Sequence, residues 1–233
     1  MKDDVRIHTL LSILEKDYPN AHIMLTYQSP WELLVAVMLS AQCTDKMVNS
    51  VTPLLFSTYP TIQDIASASN HTVETLVKKT GFYKNKAKNI IAAAKRINAV
   101  YKGEVPKTME SLLTIKGVAR KTANVVLSNA FNVTKGIAVD THVIRLSQRL
   151  RLVSLPTIGG KTYMYTDTSR KTIDFIKDAI PEKIESELQQ LLPKEKWNTI
   201  TYQLIEHGRA VCRAVHPLCQ TCALAQFCPA KRT

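Results

Sequence analysis

Four of the five cysteines fall within the last 22 residues, in the order Cys212-x6-Cys219-x2-Cys222-x5-Cys228. So short a segment cannot bury a core of its own, so whatever the four thiols hold decides how the chain ends. The first residues, Met1-Lys2-Asp3-Asp4, carry no apolar core of the secretory kind, so the chain is read as intracellular and its thiols as starting reduced. Clustered reduced thiols bind a metal more readily than they pair with one another. Zn2+ and an iron–sulfur cluster both accept four sulfur ligands. The spacing does not choose between them: only one short Cys-x-x-Cys hook is present, and the six-residue loop fits no common ferredoxin pattern. Ligation would contribute folding free energy directly, so the centre can be purely structural. Inside the first loop, Arg213 offers a fixed cation that could lie on a phosphate. Cys43 stands apart, beside an apolar run, and reads as a small core residue.

The rest of the chain reads as all-α. Glycine is scarce, at 7 of 233 residues, and apolar residues recur at helical spacing between short breaks. Ser29-Pro30-Trp31-Glu32 has a capping hydroxyl, a first-turn proline and a carboxylate near the positive end of the helix dipole. The run Leu33 to Leu39 follows. A helix apolar on all sides belongs in an interior, so this one is expected at the centre of its domain, and it is far shorter than the ~20 residues of a membrane span. From Lys84 to Tyr101, Ala87, Ile90, Ile91, Ala94 and Ile97 form one stripe, with Lys84, Lys88 and Lys95 away from it. Further helices are expected near 4–17, 44–57, 71–80, 108–114, 119–131, 141–152, 169–192 and 197–210. Breaks at Pro60, Gly81, Gly103 with Pro106, Gly136 and Gly159-Gly160 separate them.

Charge is distributed unevenly. The formal net charge is +12, and residues 78–151 hold 16 Lys and Arg against three acids, Glu104, Glu110 and Asp140. The remainder is close to neutral. A basic central block points to a polyanion partner, nucleic acid before membrane; a solubilising basic face is the alternative.

Two short motifs lie in that block. Ile115-Lys116-Gly117-Val118-Ala119-Arg120-Lys121 joins two helical patterns through a glycine, a tight turn that aims backbone N–H groups outward where phosphate binds without base readout. Lys121 falls in the first turn of the second helix, where a lysine is commonly just a solvated surface residue. Farther on, Val139-Asp140-Thr141-His142 places a carboxylate before a helix, and Asp140 reads first as its N-cap.

Together, the glycine hairpin with Arg120-Lys121-Thr122-Ala123-Asn124, the Val139-Asp140-Thr141-His142 segment and the cysteine tail resemble the endonuclease III family of DNA glycosylases. The likeness runs from the Ser29-Pro30 helix through Ser40-Ala41-Gln42-Cys43-Thr44-Asp45 and Lys86-Ala87-Lys88-Asn89-Ile90 to Cys228. It implies two helical domains facing across a cleft: a six-helix barrel with the helix-hairpin-helix over 23–134, and a cluster domain from 1–22 and 135–233. It also implies a [4Fe-4S] cluster on Cys212, Cys219, Cys222 and Cys228, with Lys121 as nucleophile and Asp140 as its partner on opposite walls.

The implied activity is a bifunctional glycosylase and abasic-site lyase that removes oxidised pyrimidines from double-stranded DNA, as a monomer. Its location would be cytoplasmic, at the nucleoid in a prokaryote. An amine nucleophile must first lose its proton, which desolvation and the neighbouring Lys116 and Arg120 favour. Gln42 matches the glutamine that fills the gap left by a turned-out base, and Phe82 stands where leucine is usual, though either could be core. Lys116, Gly117, Ala119 and Arg120 would line the phosphate, and His142 contacts DNA or supports the cap. Ala119 replaces the usual second hairpin glycine and would cost about 1 kcal/mol if its φ were positive. The connection over 156–177 looks longer than is usual, with no assigned role. A mismatch or adenine glycosylase of the same fold is one alternative, which Lys121 argues against; a non-catalytic iron–sulfur DNA-binding or electron-transfer protein is the other.

Overall fold

A computed structural model describes residues 3–165 and 173–232. The chain divides into two compact units, one of Ile23–Lys135 and one of Met1–His22 with Gly136–Thr233.

The first unit is built on the apolar helix. Helix α2 (Pro30–Leu39) starts where the Ser29 hydroxyl accepts from the Glu32 amide at 3.2 Å, and Trp31 and Leu33 through Leu39 are all buried. It is the central element, as its all-round apolar pattern requires. Helices α3 (Asp45–Thr58), α6 (Tyr83–Tyr101) and α8 (Arg120–Phe131) pack against it. Helices α4 (Ile62–Ser67) and α5 (Asn70–Val77) pack on α6, and α7 (Met109–Leu113) on α8. The α4 turn was not anticipated; its signature is local, a capping box in which Thr61 and Asp64 satisfy each other's backbone.

In the second unit, helices α1 (Asp3–Asp17), α9 (Thr141–Arg149), α10 (Pro181–Leu191) and α11 (Trp197–Ala210) enclose Leu10, Leu14, Val143, Leu146, Ile184, Leu188, Ile200 and Leu204. The expected helix over 169–192 is corrected here. Residues 169–172 lie outside the description, Ile173–Ile176 forms strand β2 against β1 (Tyr163–Tyr165), and the helix starts only at Pro181. Ile173-Asp174-Phe175-Ile176 is a β-branched and aromatic run, and proline is at home in a first helical turn. The hairpin is antiparallel, Tyr163 opposite Ile176 and Met164 opposite Phe175, with an irregularity that leaves Asp174 as the extra residue. Such bulges re-aim side chains. Among the described residues all the other regular elements are helices, in keeping with the all-α reading.

Candidate active site and metal centre

The hairpin between α7 and α8 is anchored by two apolar residues and exposes the two between them. Ile115 and Val118 are buried, Lys116 and Gly117 exposed. Gly117 has φ +85°, and a Cβ there would lie 3.1 Å from Asn89 Cβ and from Met38 Cε. Both the backbone and the space therefore require glycine. Ala119 is different. Its φ of −99° and ψ of 171° are ordinary extended values, so replacing the second glycine carries no conformational cost. As N-cap it has no side-chain acceptor for the first-turn amides of α8. Arg120 and Lys121 open that turn, both half-buried, and the Lys121 ammonium makes no hydrogen bond or ion pair among the described residues.

Asp140 is the N-cap of α9, as expected. One oxygen, Oδ1, accepts from the amides of His142 at 2.8 Å and Val143 at 2.9 Å. Those bonds fix the carboxylate, while Oδ2 makes no hydrogen bond among the described residues. The His142 ring takes Arg145 Nη2 at 3.2 Å on Nδ1. Gly208 on α11 makes room for this packing: a Cβ there would lie 2.7 Å from His142 Nδ1. That glycine has no local sequence signal, because what it accommodates comes from another helix.

Gln42 and Phe82 are surface residues, which removes the core alternative for both. Gln42 is exposed with φ 53°, and Phe82 is 65% exposed with φ 48°. Left-handed backbone at bulky residues is uncommon and gathers at functional sites. Cys43, expected in the core, is half-exposed.

At the C-terminus, Cys212, Cys219, Cys222 and Cys228 line one small cavity with Arg149 and His207. No three His, Cys, Asp or Glu side chains among the described residues converge as ligands of a single ion. Four cysteines lining one cavity are a donor set that a thiolate-bound metal centre would use. The surroundings suit a negatively charged group. Arg149 Nη1 lies 3.4 Å from Cys212 Sγ and donates to the Arg213 and Ala214 loop through the Arg213 carbonyl at 2.7 Å. Arg145 donates to the Cys212 carbonyl at 3.0 Å. Burial pushes the Cys228 thiol up to about 11 and raises Cys222 as well, the cost that ligation must offset. Burial also lowers His207 to about 4, so its ring is neutral between Tyr18 OH at 3.0 Å and Cys222 Sγ at 3.7 Å.

A support not visible beforehand is Asp174. Both its oxygens are taken, Oδ1 by Arg149 Nε at 2.7 Å and Oδ2 by Arg149 Nη2 at 2.8 Å and Arg232 Nη2 at 2.6 Å. Asp174 is 0% and Arg149 2% exposed. Gln148 docks the same strand by pairing both amide atoms with the Ile176 backbone. Strand β2, at the described end of the long connection, is therefore packed against α9 and the cysteine-bearing tail. The Arg213 side chain is exposed on the loop between the first two cysteines.

A family profile described as HhH-GPD superfamily base excision DNA repair protein matches residues 35–166. The endonuclease III of Synechocystis is 47% identical over 96% of this chain and 92% of its own length, and that of Bacillus subtilis 40% over 91% and 86%. A trapped endonuclease III–DNA covalent intermediate superposes with a TM-score of 0.85 at 37% identity, over 99% of this chain and 98% of the other. The chain belongs to the endonuclease III family.

Proposed function

We propose that this protein is a bifunctional DNA N-glycosylase and abasic-site lyase acting on oxidised pyrimidines, with Lys121 as nucleophile and Asp140 as its carboxylate. The observation that carries the assignment is a half-buried lysine in the first turn of α8, behind a glycine hairpin, whose ammonium has no hydrogen bond or ion pair among the described residues. Asp140 complements it with one oxygen pinned by backbone amides and the other without a hydrogen bond among the described residues. The neutral Lys121 amine adds to sugar C1′ as the C1′–N bond to the damaged base breaks, and the base leaves with the bonding electron pair and takes a proton from water. Asp140 accepts the proton from Nζ and offsets the positive charge that builds on the sugar as the base departs. Asp140 returns that proton to the ring oxygen as the sugar ring opens to a protonated Schiff base on Lys121. Loss of a proton from C2′ then expels the 3′ phosphate, leaving an unsaturated 3′ end and a 5′ phosphate. The reading assigns Lys116, Gly117, Ala119 and Arg120 to a backbone phosphate, Gln42 and Phe82 to the vacated stack, and His142 and Arg213 to flanking DNA.

The four cysteines are assigned a [4Fe-4S] cluster, which would tie the tail to α9 and α11 and so hold Arg213 in place. The Ile23–Lys135 unit is assigned as the barrel domain and the other as the cluster domain. A thiolate-held centre also suits the reducing cytoplasm, where DNA and reduced thiols coexist. No helix among the described residues is long and apolar enough to cross a membrane.

Borohydride reduction tests the nucleophile. A duplex with one abasic site is expected to give a covalent adduct with the wild-type protein and none with Lys121→Gln, which should still bind that duplex. An adduct of undiminished yield in the variant would place the nucleophile elsewhere.

A further inference from the structure

Lys86 lies on α6, within the basic central block, and is buried despite its charge. Its ammonium donates to the Leu39 carbonyl at 2.8 Å and to the Thr80 carbonyl at 2.7 Å. Neither acceptor is arbitrary. Leu39 ends α2, three residues before Gln42, and Thr80 ends a short 3-10 turn two residues before Phe82. The Lys86 amide also donates to the Phe82 carbonyl at 3.1 Å, so one residue holds the Phe82 turn from both its backbone and its side chain. Gln42 and Phe82 are each in left-handed backbone conformation and each exposed. They belong to turns far apart in sequence, and the two turns meet at a single nitrogen.

A buried ammonium is costly, and in most folds a helix end reaches its carbonyl partner through water or a local cap instead. Here desolvation disfavours the charge, yet the carbonyls that lead into both turns take this one ammonium as their donor. We propose that Lys86 is a positioning residue that fixes the spacing between the Gln42 and Phe82 turns, so that both side chains enter the space of an extruded nucleotide together. This rests on the glycosylase reading. A duplex resists loss of a stacked base until the gap is occupied, and two wedges on independently moving turns would fill it only in a fraction of encounters.

The test compares Lys86→Met, of similar length and no charge, on two probes: a duplex with one thymine glycol, and a single-stranded oligonucleotide with one abasic site, which has no stack to refill. Single-turnover base release from the duplex is expected to fall by about tenfold, with borohydride trapping on the single strand nearly unchanged. In a Gln42→Ala/Phe82→Ala background, Lys86→Met should add almost nothing further on the duplex, since its effect runs through those two residues. Equal losses on both probes, full duplex activity in a folded variant, or an effect that multiplies with the double variant would overturn the inference. If Lys86→Met does not fold, Lys86→Arg retains the cation but respaces the donors, and the same readings apply: duplex-selective loss supports the inference, and equal loss or none overturns it. Wild-type protein inert on both probes would refute the glycosylase reading instead, so the two failures are distinguishable.

Discussion

Replacing Asp174 by alanine gives the most demanding test of how the cysteine-bearing tail is held. The change removes three charge-assisted hydrogen bonds, two from Arg149 and one from Arg232, and leaves a guanidinium that is 2% exposed without its counter-ion. Burial opposes the charge on Arg149, and the bonds to Asp174 and Cys212 more than offset it, holding its pKa above the ordinary value. Breaking a buried pair by deleting one partner costs about 3–5 kcal/mol. For a chain of this size that corresponds to a Tm lower by about 6–20 °C, at about 2–4 °C per kcal/mol. Because the chain has two units, the loss should be confined to the transition of the one containing α9, followed by urea melts with a reporter near Trp197. Asp174→Asn keeps an acceptor and should cost less. Replacing both partners, Asp174→Leu with Arg149→Met, should recover part of the stability because no buried charge is stranded. Retention of iron should not recover with it, since Arg149 also holds the Arg213 and Ala214 carbonyls. A loss below about 1 kcal/mol for Asp174→Ala would mean that water or another group replaces the carboxylate, and the hairpin's role as a brace would be refuted.

Two other perturbations have equally direct readouts. Gly117→Ala forces a Cβ onto a backbone at φ +85° and to within 3.1 Å of Asn89 and Met38; a cost of about 2–4 kcal/mol is expected from the left-handed penalty and the crowding, seen as weaker affinity for abasic duplex, and unchanged affinity would dissociate the hairpin from phosphate. Stripping iron with an oxidant and chelator should make residues 212–232 sensitive to protease, because that tail has only short 3-10 turns around its thiols, while the Ile23–Lys135 unit keeps its helices; a tail that resists cleavage without iron would show that packing alone holds it.

What could be read from the sequence was what the chain does over a few residues. The apolar run of α2, the Ser29 and Asp140 caps and the glycine of the hairpin each carry their cause within one or two turns, and each stands in the structure where the pattern placed it. The helix expected over 169–192 failed for a reason equally local: Ile173-Asp174-Phe175-Ile176 has no helical stripe, and Pro181 marked the true start. Ala119 was open in sequence because a residue type constrains φ only when the turn geometry is known. The remaining features were out of reach in kind. Lys86 is separated by 47 residues from the Leu39 carbonyl and Asp174 by 25 from Arg149, and backbone carbonyls as acceptors have no residue identity to recognise.

That difference bears on how the site works. The groups assigned to chemistry, Lys121 and Asp140, lie at helix starts, where local rules place them. The groups that hold their surroundings still are buried charges whose partners are distant in sequence: Lys86 beneath the Gln42 and Phe82 turns, Arg149 with Asp174 beneath the Cys212 loop. A buried charge with two or three fixed partners tolerates little displacement, because any shift strands it in a low-dielectric interior. Apolar packing in the same places would cost less to build, but it would let the turns slide, and a nucleophile is useful only if the nucleotide reaches it in one orientation.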